Sequence, residues 1–167
     1  MKNELFDFIK YWLDKGVDGF RLDVIPFISK DPTFQNLPTS SLDTPEKHYA
    51  SGPDLTKYLK ELSQNVFSNY DIMTVGEAFG VSQDTLLSIT DERNSALNMA
   101  FSFDLIRIGR DNWKQNKWSV RTLKKFINEL CDTDDFHWPA IFLENHDNPR
   151  SINKFGSLKH HDASAKL

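Results

Sequence analysis

Apolar residues recur at helical spacing near the start of the chain. Leu5, Phe6, Ile9, Trp12 and Leu13 fall on one stripe between Asn3 and Lys15, which predicts an amphipathic helix. Asn3 is suited to cap its start, and Gly16 stands where a left-handed residue closes a helix. The pattern changes at once: Val17-Asp18-Gly19-Phe20-Arg21-Leu22-Asp23-Val24-Ile25 reads as a short strand ended by Pro26. Ser29 to Pro53 is rich in Pro, Ser, Thr and Asp and reads as a long loop. A second amphipathic helix is expected from about Pro53 to Ser68, carried by Leu55, Tyr58, Leu59, Leu62, Val66 and Phe67. Ile72 to Glu77 follows as a strand. A helix around Ser82 to Ile89, a strand Asn98 to Asp104, a helix around Val120 to Leu130 and a strand Ala140 to Glu144 complete the alternation.

Strands separated by helices predict an α/β fold with a parallel sheet, open or closed. A closed (β/α)8 barrel takes roughly 250 residues, so in 167 residues only about half of its units would be present. A helix with no strand before it points the same way. No low-complexity tract or linker divides the chain, so residues 1–167 are read as part of one domain.

Composition narrows the function. With 39% hydrophobic and 13% aromatic residues the chain has the apolar surface for a core. A net charge of −4 with both signs interspersed offers no basic field for a nucleic-acid backbone. Glu4 and Asp7 interrupt any apolar leader, and no window is long and apolar enough for a membrane span; a soluble, cytoplasmic protein is expected. Cys131 reads as a single buried thiol on a helix face. No metal site and no cofactor are expected: His160-His161-Asp162 reads as a solvated tail, and Asp132-Thr133-Asp134-Asp135 lacks the ligand spacing and glycine of a calcium loop.

Chemistry concentrates at three strand ends. Arg21 and Asp23 lie two apart and share one face, with Phe20, Leu22 and Val24 on the other. The arginine would keep the carboxylate ionised, as a nucleophile requires, although an Arg-Asp pair can also simply satisfy itself. Glu77 ends the second strand after Gly76, whose missing side chain leaves room for a ligand or a neighbouring chain. Glu144-Asn145-His146-Asp147-Asn148-Pro149-Arg150 follows four apolar residues, and a turn alone does not explain so many hydrogen-bonding groups. Carboxylates from separate strand ends converge at the mouth of a barrel. One attacking carboxylate and one proton-donating carboxyl are what glycoside hydrolysis needs.

Gly19-Phe20-Arg21-Leu22-Asp23, Val75-Gly76-Glu77-Ala78 and Glu144-Asn145-His146-Asp147 resemble, in order and separation, three signatures of the α-amylase family of glycoside hydrolases. The resemblance covers practically the whole chain and implies the fourth to seventh strands of a TIM barrel. It further implies Asp23 as nucleophile, oriented by Arg21, Glu77 as general acid/base, and Asp147 as a carboxylate gripping substrate hydroxyls. His146 and Arg150 would bind the sugar. His48-Tyr49-Ala50-Ser51-Gly52-Pro53 and Asp71 to Glu77 are similar to the oligo-1,6-glucosidase and dextran glucosidase group. In those relatives a valine at the position of Val24 accompanies α-1,6 linkages. The implied activity is that of a retaining α-glucosidase acting on oligosaccharides. Its rivals are a trehalose-6-phosphate hydrolase, an α-1,4-glucosidase, a glucosyl transglycosylase and a non-enzymatic transporter heavy subunit. The family's first signature, its other strands and its C-terminal β domain have no counterpart here, so the 167 residues alone are expected to show little activity and to leave apolar faces uncovered.

Overall fold

The computed structural model describes residues 1–33, 36, 49–93, 96–111, 114–132 and 136–166. Most of the expected Ser29 to Pro53 loop, the start of the His48 to Pro53 segment, the Asp132 to Asp135 stretch beyond its first residue, and the side chain of Cys131 lie outside the described residues.

Helix α1, Lys2–Asp14, ends as its sequence predicts. Gly16 has φ +92°, its N–H donates to the Leu13 carbonyl at 2.9 Å, and the Val17 N–H reaches the Trp12 carbonyl at 3.3 Å. This paired closure works because glycine carries no Cβ in the left-handed region. The start differs from expectation: Met1 occupies the capping position, which leaves Asn3 inside the first turn. Phe6 and Leu13 are buried, whereas Leu5 and Trp12 of the same stripe are exposed, together with Phe8 and Tyr11.

Three strands form a parallel sheet in sequential order: β1, Gly19–Leu22, β2, Met73–Glu77, and β3, Met99–Phe101. Helix α2, Leu55–Asn65, lies between the first two and α3, Gln83–Thr90, between the second and third, the alternation a parallel sheet requires. Ser82 caps α3 by accepting from the Thr85 N–H. Leu55, Leu59, Leu62, Val66 and Phe67 pack with Ile25, Ile89, Leu97 and Ala100 into the main core, with Phe20 and Leu22 of β1 against it. Gly76 belongs to this packing: a Cβ there would stand 2.7 Å from Ile25 Cδ1 and 2.7 Å from Leu97 Cδ1. The buried Thr74 is satisfied across the sheet, its N–H and hydroxyl both donating to Asn98 Oδ1, at 2.7 and 3.0 Å.

Three expectations need correction. The run from Val17 to Ile25 is not one strand: β1 stops at Leu22, Val24 turns to φ +41°, and Ile25–Ile28 forms a 3-10 helix with Pro26 in its first turn. Val24 therefore does not alternate with Phe20 and Leu22. The strand beginning at Asn98 is shorter than its apolar run, because Asp104 opens a four-residue helix α4, Asp104–Arg107. Ala140 to Glu144 forms no ladder; Ala140 makes one parallel bridge to Phe101, where the Ser102 N–H meets the Ala140 carbonyl at 3.4 Å.

The sequence pattern missed an antiparallel hairpin, β4 (Arg110–Asp111) with β5 (Lys114–Gln115). Helix α5, Val120–Cys131, was expected, and Ser119 caps it. It joins Leu105, Ile108 and Phe155 in a second, smaller core. Helix α6, Ser151–Phe155, and helix α7, His161–Ser164, follow; His160, His161 and Asp162 are exposed, as a polar tail would be, but they sit in helical turns.

Candidate active site

The sheet register brings the first two carboxylates together. Leu22 stands opposite Gly76 in the parallel ladder, so Asp23 leaves β1 level with Glu77, the last residue of β2. Arg21, one pair deeper and opposite Val75, spans both. Its Nη1 donates to Asp23 Oδ1 and its Nη2 to Glu77 Oε2, the latter at 2.8 Å. The two acids differ in setting: the Glu77 side chain is 8% exposed and that of Asp23 71%.

Arg21 holds the Asp23 carboxyl below its usual range, chiefly by donating to it, and a side-chain hydrogen bond with Glu77 adds to the effect. Desolvation opposes these bonds, and the charges of Arg21 and then His146 add smaller lowering effects.

Val24 supplies a contact that side-chain spacing could not reveal. Its left-handed backbone, φ +41°, is uncommon for a β-branched residue and costs about 1–3 kcal/mol. The conformation directs the Val24 N–H at Glu77 Oε2, 3.2 Å away. Glu77 is thus held by one side-chain and one backbone donor.

Asp147 and His146 occupy the turn after Ala140-Ile141-Phe142-Leu143. The Asp147 N–H donates to Asn145 Oδ1 at 3.1 Å, and Asn148 Nδ2 donates to the same oxygen at 2.6 Å. His146 Nε2 lies 3.5 Å from Asp147 Oδ2. A positive charge on His146 would favour the Asp23 anion; among the described residues no contact joins Asp147 directly to Asp23 or Glu77. Arg150 stands apart, donating to Glu144 Oε1 at 2.5 Å.

Glu144 was part of a recognised motif but had no role in the sequence reading. It accepts from the Ser151 N–H at 2.6 Å and from Arg150, and these donors lower its pKa to about 2, the backbone bond contributing most. The one signal available was an acidic residue ahead of a helix start. An aromatic cluster was missed as well. Phe103 packs edge-on against Phe79 and Phe142 at 5.2 and 5.1 Å, and Phe101 meets Phe142 at 5.5 Å. These rings tie the segment leading to Asp147 to the ends of β2 and β3.

Among the described residues no helix is long and apolar enough to cross a membrane. The α-amylase catalytic-domain family description, "Alpha amylase, catalytic domain", matches residues 1–167. The chain is 36% identical to an oligo-1,6-glucosidase of Bacillus cereus over 94% of its own length and 29% of that protein's. It is 34% identical to a trehalose-6-phosphate hydrolase of Bacillus subtilis (strain 168), over 93% and 29%. A solved isomaltulose synthase from Erwinia rhapontici NX5 superposes with a TM-score of 0.85 at 40% identity, over 93% of this chain and 28% of that one. The chain thus spans less than a third of the length of these relatives, and the three parallel strands with their helices are part of a TIM barrel. A match along all 167 residues and carboxylates gathered at the ends of parallel strands agree: the chain belongs to the α-amylase family.

Proposed function

We propose that the protein to which this chain belongs is a cytoplasmic retaining α-glucosidase that removes glucosyl units from oligosaccharides, with α-1,6 bonds as its preferred linkage. The observation carrying this reading is the Arg21 guanidinium bonded at once to Asp23 and Glu77. One guanidinium held between both carboxyls fits the close pair of a retaining enzyme, ~5–5.5 Å apart, better than the roughly 6.5–9.5 Å gap of an inverting one. Asp23, exposed and held anionic, attacks the anomeric carbon. Glu77 donates a proton to the departing oxygen. Once Asp23 is esterified its negative charge is gone, and Glu77 as carboxylate accepts a proton from the incoming water. Asp147 holds sugar hydroxyls and favours the oxocarbenium-like transition state, His146 binds beside it, and Arg150 takes a place at the edge of the sugar site through the Glu144 pair. Val24, with its N–H on Glu77, stands where the group beyond the scissile bond would pass.

A transglycosylase is the second reading, because solved relatives at 36–40% identity include isomaltulose and trehalulose synthases. Both reactions share the glucosyl-enzyme and differ in the acceptor. Incubating the complete protein with isomaltose, maltose, trehalose 6-phosphate and sucrose, and following products, separates them: isomaltose should disappear with release of glucose. Asp23→Asn should lower kcat by roughly three orders of magnitude or more on the preferred substrate. A variant retaining activity within about tenfold of the native protein would remove Asp23 from the nucleophile's place.

A further inference from the structure

Away from Asp23 and Glu77, a cavity of about 100 Å³ opens between the β4 hairpin, α6 and the turn that follows Asp147. Its walls include Arg110, Trp118, Asn116, Asn148 and Lys154. It holds two cationic side chains, and neither makes an ion pair with a carboxylate among the described residues. Lys154 Nζ donates to the Ile106 carbonyl, and Arg110 Nη1 donates to Asn148 Oδ1 at 3.3 Å. An ammonium has three donors and a guanidinium five, so each head retains donors to give. Bringing two cations together in a partly desolvated cleft is unfavourable unless an anion joins them. The Lys154 pKa is pushed down to about 8, by burial first and by the charge of Arg110 second.

We propose that this cavity is a binding site for a phosphate group, free or carried by a sugar, clamped between the Arg110 guanidinium and the Lys154 ammonium. A guanidinium fork matches two phosphate oxygens and an ammonium adds a point charge, while Asn116 offers an amide donor and Asn148 positions the Arg110 guanidinium. The volume suits a single small group, being well under the ~300 Å³ at which pockets for whole drug-sized ligands begin. The wall is built rather than accidental. Trp118 Nε1 donates to the Lys154 carbonyl at 2.8 Å, and its ring packs edge-on against Phe155 at 5.1 Å. Asn148 shares the Asn145 Oδ1 acceptor with the Asp147 N–H, so an anion here sits one hydrogen-bonded turn from Asp147. The proposal stands whether or not the glucosidase reading does.

The test is an NMR titration of the complete protein with inorganic phosphate, glucose 6-phosphate and glucose, following phosphorus line broadening and the Trp118 indole N–H, assigned through Trp118→Phe. Saturable phosphate binding that shifts the Trp118 signal is expected. Arg110→Gln and Lys154→Met should each weaken it by about tenfold or more, with Arg110→Lys weakening it less. Glucose should leave the signal unmoved. Glucose 6-phosphate binding more tightly than phosphate would identify a phosphorylated sugar as the source, and equal binding a free anion. No saturable binding to the native protein, or binding unchanged in both charge-removing variants, overturns the proposal, and the native Trp118 readout decides even if a variant fails to fold.

Discussion

Replacing Arg21 by Met keeps the aliphatic stem and removes the cation shared by Asp23 and Glu77. The contact with Glu77 is the protected one, at 2.8 Å to a carboxyl only 8% exposed. Leaving a buried acceptor without its charged donor costs about 1–3 kcal/mol. Arg21 is itself 39% exposed, so water replaces part of the bond and the loss of stability should fall near about 1 kcal/mol. The Val24 N–H remains on Glu77 and limits the loss further. The effect on activity should be larger. Asp23 loses the strongest influence holding its pKa down, so its carboxyl titrates at higher pH and a smaller fraction is anionic on the acid side. The acid limb of the kcat/KM profile should therefore move to higher pH. The loss of orientation should lower kcat/KM by about a hundredfold, equivalent to about 2.7 kcal/mol of transition-state stabilisation. The assay is hydrolysis of a nitrophenyl α-glucoside by the complete protein across the acid range, with urea unfolding alongside. An unmoved acid limb and a rate within about threefold of native would show that Arg21 serves the fold and not the nucleophile.

Two further outcomes follow from packing and charge. Gly76→Ala places a methyl 2.7 Å from both Ile25 and Leu97, and overpacking of this kind should cost about 1–3 kcal/mol in urea unfolding; an unchanged midpoint would mean the two side chains simply swing away. Glu144 has a folded pKa of about 2 against an ordinary value of 4.5, so its contribution to stability is fully present above the ordinary value and is lost as pH falls through about 2. A carbon NMR titration of its carboxyl should show the low midpoint, Glu144→Gln should loosen the Ser151 amide in hydrogen exchange, and a midpoint near the ordinary value would refute the clamp on α6.

What the sequence revealed depended on whether one chain segment contained the whole signal. Helices α1, α2, α3 and α5 did: each apolar stripe lies within one segment, and Gly16 marks the left-handed stop of α1, although Asn3 misled as its cap. The pairing of Asp23 with Glu77 did not, since it arises from a register 54 residues apart that sets Leu22 against Gly76. It was reached through the resemblance of short motifs, and the guanidinium bridging them came from the coordinates alone. Val24 shows the limit most sharply. A β-branched residue after Arg21-Leu22-Asp23 reads as one more strand position, and nothing in its side chain announces a left-handed backbone whose N–H serves Glu77.

The segment before Asp147 shows how a correct pattern can still give a wrong element. Ile141 and Leu143 are 40% and 42% exposed, while Phe142 between them packs on Phe101 and Phe103. The two-residue alternation of a strand is therefore present, and it turns Phe142 into the sheet's aromatic edge. A strand also requires a ladder of backbone bonds with a neighbour, and Ala140 supplies just one bridge to Phe101. Apolar periodicity reports which face a residue presents, not whether a partner backbone lies alongside. The position of Asp147 accordingly rests less on the sheet than on the rings behind it, the Asn145 turn and the Glu144 clamp ahead of α6. Those three supports fix the turn that carries Asp147, in which His146 Nε2 lies 3.5 Å from Asp147 Oδ2.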